Sequence, residues 1–305
     1  MTQRNWKFPG LVCLVLLAAP SARALAEGVS LSWHFKPGET LHYVAKQEVA
    51  QDISSAAISG KMNVGITVDL SWAVQSVDAQ QVASLIQTID RVQMTVDPPQ
   101  GAKVQYDSSS GKEPEGQAKT AAAGFQALFK KPMRMKIDSQ GKILEVKLPQ
   151  DVLGQFRKTP GLESLGKMFS EDGMKQLVGL SVLPKEPLVP GKSWNDESLY
   201  ENPQAGKQKV KSTYTYVGPK MLEGKPVEQI DSVVSLELLP PEQQAAKLDI
   251  KEQHGTGTLY FDAVAGHLLQ STTTMKLKMT VEFGGQSLTS DATTSRTFQL
   301  VPPGK

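Results

Sequence analysis

The chain has 305 residues, of which 33 are Lys or Arg and 31 are Asp or Glu, so its formal net charge is +2. This balance leaves no basic excess that would neutralise phosphates, which argues against nucleic acid as a partner. Its single cysteine, Cys13, excludes a disulfide within the chain, and aromatic residues at 6 % of the sequence disfavour a surface on which sugars or bases stack.

The first 26 residues have the layout of a secretory signal peptide. Arg4 and Lys7 give a positively charged start, an apolar run covers Leu11–Ala19, and the small residues ending at Ala26 suit a cleavage site. The apolar run is far shorter than the roughly 20 residues that a membrane span requires. We therefore expect an exported protein, periplasmic or extracellular, whose mature chain begins at Glu27 and contains no transmembrane span.

Two alternatives for this terminus follow from the same residues. Cleavage after Ala24 would make Leu25 the first residue of the mature chain. Cys13 raises the question of a lipid anchor, but a lipid-modified cysteine should follow the apolar run, and Cys13 lies near its start. The sequence therefore favours an exported chain without cysteine.

Strands predominate in the region after the signal peptide, because apolar residues recur at every second position. The first two such segments are VSLSWHFK, beginning at Val29, and TLHYVAKQEVAQ, beginning at Thr40, with the turn PGE between them. We interpret them as a hairpin in which Trp33 faces Tyr43. Further long strands are predicted over residues 61–77 and 81–96.

The same hairpin register would place His34 opposite His42 on the polar face. A cross-strand histidine pair is able to ligate a transition metal. No carboxylate stands at a fixed spacing to complete such a site, so two solvated imidazoles are the favoured interpretation. We therefore expect no metal and no cofactor, with His34 and His42 as the weak metal candidates.

The middle of the chain has a helical rather than an alternating pattern. The segment QAKTAAAGFQALFKK begins at Gln117, and short apolar helices are predicted over residues 150–180. Helices packed on a curved sheet would either fill its core or roof an apolar cavity, where flexible Met side chains tolerate varied ligands. The candidate cavity residues are Phe125, Phe129, Phe156, Leu165, Met168, Phe169, Met174 and Leu177.

Two hairpin turns are predicted to start at Asp138 and at Asp262, where an aspartate caps its own backbone and a following glycine closes the turn. A Pro-Gly turn, a polar hairpin and one of these Asp-Gly hairpins recur in the same order in both halves of the chain, as expected of an internal duplication. Chance similarity between amphipathic strands is the alternative.

The predicted fold class is mainly β (α+β), with two related antiparallel, curved β-sheet units and short helices inserted between them. The Pro-rich segment LPKEPLVPGKSW marks the boundary between the units. We assign residues 1–26 to the signal peptide, 27–183 to the first unit with its inserted helices, and 184–305 to the second unit.

The sequence lacks a recognisable catalytic motif. It has no G-x-S-x-G elbow, and the S-x-x-K spacing of Ser164 and Lys167 also occurs at Ser109 and Ser139, in loops. We therefore expect a non-enzymatic protein, with a hydrolase acting outside the cytoplasmic membrane as the alternative.

A set of short motifs resembles a known family. The set comprises the export signal, W-x-F-K-P-G-E-x-L-x-Y from Trp33, YDS from Tyr106, the D-x-x-G hairpin at Asp138 and PGKSW from Pro190. Together they resemble a family of uncharacterised secreted bacterial proteins of unknown function. Long curved strands with covering helices are also similar in architecture to the periplasmic carriers of lipoproteins and lipids, a likeness that implies a fold and not a function.

From the sequence we expect a cell-envelope protein that binds an apolar ligand or has a structural role. Its partner would be an apolar small molecule or another envelope protein.

Overall fold

The computed structural model of the protein describes residues 28–111, 119, 122, 126, 128–152, 154, 183–202, 206–239, 247–283 and 285–302. The predicted signal peptide lies outside these ranges, as does most of the region between residues 112 and 182. Within the described residues, no helix is long and apolar enough to cross a membrane.

Twelve β-strands make up most of the described chain. They are β1 (Thr40–Ser55), β2 (Ser59–Val77), β3 (Ala83–Asp97), β4 (Val104–Asp107), β5 (Met133–Ile137), β6 (Ile143–Lys147), β7 (Ser193–Asn202), β8 (Gly206–Leu222), β9 (Lys225–Leu238), β10 (Lys247–Asp262), β11 (His267–Phe283) and β12 (Gln286–Val301). Helical backbone occurs at residues 119, 122, 126, 128, 150–152 and 154.

All twelve strands belong to one antiparallel sheet in the order β6-β5-β3-β2-β1-β12-β11-β10-β9-β8-β7, with β4 paired to β3 beside this path. The chain therefore runs outward from β1 to β6, starts again at β7 on the opposite edge, and returns inward to β12. The predicted mainly-β class, with curved antiparallel strands, is confirmed. Strands of the two predicted units meet where β1 pairs with β12.

The two faces of the sheet differ in polarity. Odd-numbered residues of β1 and even-numbered residues of β2 point to the face that carries Tyr43 and Trp72, both fully buried. We call this the inner face, and the opposite one the outer face. The lower end of the sheet is the end at which β1 and β11 begin, and the upper end holds the turns at residues 55–59 and 283–286.

The predicted first hairpin is wrong. Residues 30–36 form no strand, and β1 pairs with β2 and β12, so that Tyr43 lies opposite Leu70 and Leu300 rather than Trp33. The expected opposition of His34 and His42 is wrong for the same reason. Alternation reports which side chains share a face but not which strand is the neighbour, and β1 finds two longer partners elsewhere in the chain.

Residues 28–35 instead cross the lower end of the sheet and connect its distant parts. The backbone N–H of Val29 donates to Leu188 O at 2.9 Å, that of Trp33 to Ser139 O at 2.7 Å, and that of His34 to the carbonyl of Gly266 at 3.0 Å. These acceptors lie before β7, between β5 and β6, and between β10 and β11. The segment therefore joins both edges of the sheet to its centre.

Six aromatic side chains pack where this segment meets the inner face. Trp33 stacks on Phe35 with ring centroids 5.4 Å apart and meets Phe261 edge-on at 5.8 Å. Tyr43 lies 4.8 Å from Trp72 and stacks on Phe298 at 4.5 Å. We call Trp33, Phe35, Tyr43, Trp72, Phe261 and Phe298 the aromatic floor. Such pairs contribute about 0.5–1.5 kcal/mol each beyond the burial of their surface.

Both predicted Asp-Gly turns are confirmed. Asp138 Oδ1 accepts hydrogen bonds from the backbone N–H groups of residues 140 and 142, and Asp262 Oδ1 accepts them from residues 264 and 265. Gly141 and Gly266 have φ angles of 86° and 71°, in the left-handed region that favours glycine. At Gly266 a Cβ would also lie 2.5 Å from the backbone nitrogen of His34, so the crossing segment itself requires glycine there.

The internal duplication stays a prediction. Along the sheet the chain visits β1-β2-β3-β5-β6 and β7-β8-β9-β10-β11 in the same direction, which is the order that a tandem duplication would produce. Trp72 lies on β2 and Tyr214 on β8, each the second strand of its series. The boundary between the two predicted units, which lies between residues 183 and 184, likewise stays a prediction.

We predict that Gln87→Leu destabilises the fold by about 1–3 kcal/mol, because it would leave a buried donor unpaired. Trp72 is fully buried, and its indole Nε1–H donates to Gln87 Oε1 at 3.0 Å. Gln75→Leu, at an exposed position of β2, is the matched control and should change the free energy of unfolding by no more than about 0.5 kcal/mol. Denaturant titration measures both, and equal effects would contradict the assignment.

His267 is a second buried polar group at the lower end of the sheet. Its Nε2 atom has no hydrogen-bond partner among the described residues, and Glu39 Oε1 lies 3.8 Å away. Burial lowers the pKa of His267, although the nearby Glu39 carboxylate partly opposes this shift. The imidazole is therefore held neutral in the folded protein at neutral pH.

We expect the protein to lose stability on acidification partly through His267. The unfolded chain has a histidine pKa of about 6.5, so below that pH it takes up more protons than the folded chain and the free energy of unfolding falls. His267→Gln should flatten this fall between about pH 7.5 and pH 5, by no more than about 1.4 kcal/mol per pH unit. His254→Gln, at an exposed position of β10, is the control. An unchanged slope in His267→Gln would refute the expectation.

Candidate functional site

Most residues of the cavity predicted from the helical pattern lie outside the described part of the chain. Phe129 is described: it is half-buried, its backbone bridges to Ile89 of β3, and Lys130 Nζ lies 5.1 Å from the centre of its ring. The cavity therefore stays a prediction. The predicted residues outside the description are Phe125, Phe156, Leu165, Met168, Phe169, Met174 and Leu177.

The two histidines that were weak metal candidates lie in different environments. His34 is exposed on the crossing segment, and its Nε2 atom is 2.8 Å from Ser32 Oγ. His42 is on the outer face of β1, opposite Ser71 and Val301. Among the residues that the structure describes, no three His, Cys, Asp or Glu side chains are grouped so that they could hold a metal ion.

The inner face changes character above the aromatic floor. Here its apolar side chains are only half-buried, and they are not part of the buried core. We call this set the upper inner face: Val49, Ile53, Met62, Val64, Val210, Val234, Leu236, Leu238, Leu248, Ile250, Met275, Leu277, Met279, Val281 and Leu288.

The outer face over the same strands is polar. Its positions on β11 and β12 are mainly Thr, Ser and Lys, and cross-strand ion pairs form on neighbouring strands, as between Lys211 and Glu237 at 2.7 Å. If water covered both sides of the sheet, there would be no reason for one face to be apolar and the other polar. The apolar surface is interrupted at its centre by Gln51 and Ser290, whose side chains hydrogen-bond to each other at 2.7 Å. An exposed apolar surface of this kind marks a site for a ligand or a partner.

A row of small and polar side chains separates the aromatic floor from the upper inner face. In register across β1, β12, β11, β10 and β9 these are Gln47, Arg296, Thr273, Gly257 and Ser232. We call them the polar row. A Cβ at Gly257 would lie 2.6 Å from Ser232 Oγ and 3.1 Å from Thr273 Oγ1, so the neighbouring hydroxyls occupy the space above the glycine.

Arg296 is the charged member of the polar row. Its Nε–H donates to Gln47 Oε1 at 3.0 Å, and its side chain is exposed. Within the described ranges, no carboxylate lies within ion-pair distance of its guanidinium. Arg296 is not among the site residues predicted from the sequence, although Thr294, Arg296 and Phe298 have the same parity and therefore share a face.

Two carboxyl groups elsewhere on the sheet, those of Asp107 and Asp196, have shifted pKa values. The Arg91 guanidinium contacts Asp107 at 2.6 Å and, with the hydrogen bonds from Ser109, holds the pKa of that carboxyl well below its usual range. The motif YDS is thus explained by a capped turn after β4. On the inner face of β7, burial raises the pKa of Asp196.

A small apolar cleft lies beside the aromatic floor. Trp33, Leu183, Ile230, Leu259, Phe261 and Leu268 line it. These side chains already belong to the buried core, so the cleft is a packing feature of the lower end.

The comparisons with known proteins give a family resemblance but no function. Residues 80–220, from β3 to β8, match the model of DUF6263, a family of unknown function, over less than half of the chain. The resemblance to a family of unknown function is thereby confirmed for this part. A comparison with curated proteins finds no significant match.

Several solved structures show weak similarity to this chain. One is lipovitellin, in a study of its lipid–protein interactions, with 12 % identity and a TM-score of 0.47, covering 88 % of this chain and 26 % of that one. Another is a candidate exported protein with a YmcC-like fold from Bacteroides fragilis, with 8 % identity, a TM-score of 0.28 and coverage of 89 % and 97 %.

A third solved structure with weak similarity is that of DynF, from the dynemicin biosynthesis pathway of Micromonospora chersina. It has 8 % identity and a TM-score of 0.21, and the match covers 99 % of this chain and 94 % of that one. Of the three, lipovitellin is much longer than this chain, which spans only about a quarter of its length. Because all three TM-scores lie below 0.5, they carry no argument about what this chain binds.

Proposed function

We propose that the protein is an exported, non-enzymatic envelope protein that binds a long-chain apolar molecule on its upper inner face. The observation that carries the proposal is the half-buried apolar surface of that face, set against a polar outer face on the same strands. Alternating strands need an apolar face only where something covers it.

The energetics favour a long ligand over a small one. Burying a methylene group contributes about 0.8 kcal/mol, so about twelve methylenes would contribute about 10 kcal/mol. Association costs about 4–15 kcal/mol in lost freedom of motion. The gain from an acyl chain of membrane-lipid length therefore reaches the middle of this range of costs, whereas the gain from a short apolar molecule falls near or below its lower end.

The side chains of the upper inner face suit a ligand without a fixed shape. Met62, Met275 and Met279 contribute flexible, polarisable side chains that adapt to irregular contacts. Aliphatic residues such as Val64 and Leu277 supply the rest of the apolar surface. We therefore propose recognition by apolar area rather than by a precise arrangement of hydrogen bonds along the chain.

The export part of the proposal rests on the amino-terminal sequence. A charged start, a short apolar run and a small-residue cleavage site are the features of a signal peptide. We expect amino-terminal sequencing of the exported protein to begin at Glu27, or at Leu25 if the alternative site is used. An intact Met1 on the exported form would overturn this part alone.

The alternative function, a hydrolase, has one observation in its favour. Ser32 Oγ lies 2.8 Å from His34 Nε2, the separation expected of a nucleophile and its base. His34 is exposed and Ser32 half-buried on the crossing segment, and no carboxylate among the described residues is hydrogen-bonded to the ring of His34. Since a catalytic histidine needs a third group to orient it, we favour binding over hydrolysis.

We predict that Leu277→Asp weakens the binding of an environment-sensitive fluorescent fatty acid at least tenfold, because it places a charge in the middle of the apolar surface. Thr274→Asp, on the outer face of the same strand, is the matched control and should change the dissociation constant less than twofold. Fluorescence titration measures both, with thermal unfolding to show that each variant is folded.

Two results would contradict the proposed function. One is the absence of probe binding by the folded wild-type protein, and the other is wild-type affinity in a folded Leu277→Asp variant. In either case the upper inner face would be a surface for another protein or a structural element.

A further inference from the structure

The inner face of the four central strands carries a single charge. On the described inner-facing positions of β1, β2, β11 and β12 the side chains are uncharged except for Arg296. The outer face of the same strands holds several ionic residues, including Lys46, Glu48 and Lys278. A lone cation on an otherwise uncharged surface needs an explanation.

The guanidinium of Arg296 has donors to spare. An arginine offers five N–H donors in a planar fork. The Nε–H donates to Gln47 Oε1, and among the described residues no acceptor is hydrogen-bonded to either terminal nitrogen. The hydrogen bond to Gln47 orients the guanidinium plane. It leaves the edge formed by the two terminal nitrogens available, and this edge can pair with a carboxylate through two hydrogen bonds.

The position of Arg296 matches one end of an extended chain. Phe298 of the aromatic floor lies two residues below it on the inner face, and Thr294, Ala292, Ser290 and Leu288 follow above it on that face. From Arg296 to Leu288 the strand rises about 27 Å at about 3.4 Å per residue. This exceeds the roughly 15 Å thickness of one leaflet of a bilayer's hydrocarbon core, so the face above Arg296 accommodates a full acyl chain.

We propose that Arg296, oriented by Gln47, binds the carboxylate of a fatty acid whose chain lies along the upper inner face. This inference rests on the proposed function and adds the headgroup to it. One cation balances one carboxylate. A phosphate monoester carries about −1.5 to −2 charges at neutral pH, and the central strands offer no second cation on the inner face to balance them.

A structural role for Arg296 makes a different prediction. An arginine that only covers apolar surface with its aliphatic stem would support ligands of any headgroup equally. Headgroup selectivity therefore separates the two roles, whereas a loss of stability would not.

The test compares hexadecanoic acid with hexadecan-1-ol, which share a chain length and differ in charge. Both are titrated at about pH 8, where a carboxylate is ionised, as competitors of the uncharged probe N-phenyl-1-naphthylamine bound to the full-length mature protein. We expect the wild type to bind the acid at least tenfold more tightly than the alcohol. In Arg296→Gln this preference should vanish, with affinity for the alcohol unchanged within twofold.

Two further variants complete the design. Lys276→Gln, at an exposed outer-face position of β11, removes a charge of the same sign and should keep the preference. Gln47→Leu removes the group that orients the guanidinium, so it should reduce the preference for the acid, and it serves as the second test if Arg296→Gln does not fold.

The outcomes separate the two proposals. Tight binding of both ligands without a preference overturns the headgroup assignment and leaves the apolar binding face intact. So does a preference that survives in a folded Arg296→Gln variant or, if that variant does not fold, in Gln47→Leu. Displacement of the probe by neither ligand, or failure of the probe to bind, overturns both proposals. A preference that also vanishes in Lys276→Gln shows a general charge effect and overturns the headgroup assignment.

Discussion

The pairing of β1 with β12 is the contact on which the rest of the structure depends. Its register runs without interruption from His42–Val301 to Ser55–Leu288, and it joins the two series of strands into one sheet. A shift of one residue would turn every side chain of one strand to the opposite face. Tyr43 and Phe298 stack across this pair and fix the register, and in that register Arg296 and Leu288 face inward.

The alternating pattern predicted the class of fold and much of its local structure. It indicated long antiparallel strands, and the Asp-Gly turns at Asp138 and Asp262 followed from side-chain capping and from the need for glycine. It failed for the first hairpin, because neighbouring alternating segments are not obliged to pair. Trp33 does point inward, as its parity indicated, but it is held there by packing in the aromatic floor.

The candidate site was harder to predict, for a physical reason. The apolar ligand contacts predicted from the sequence lie in helices, where one segment has a visible surplus of Leu, Phe and Met. That segment lies largely outside the described residues. The upper inner face is assembled from single residues on many strands, such as Val49, Val234 and Leu277, whose proximity arises only from pairing. The parity of Arg296 was readable, but its isolation among uncharged neighbours depends on the register of strands far apart in the chain.

The sheet also imposes an order on its own formation. Gln47 and Arg296 are separated by 249 positions in the chain, so one edge of β1 has no partner until almost the whole chain has been synthesised. Residues 28–35 likewise lack one of their backbone partners until late in synthesis, since Gly266 lies near the carboxyl end. Contacts this remote in sequence are slow to form, and an open strand edge is prone to pair with other chains. Closure of the lower end is therefore a late event, and the apolar interior stays accessible from that side until β10, β11 and β12 are in place.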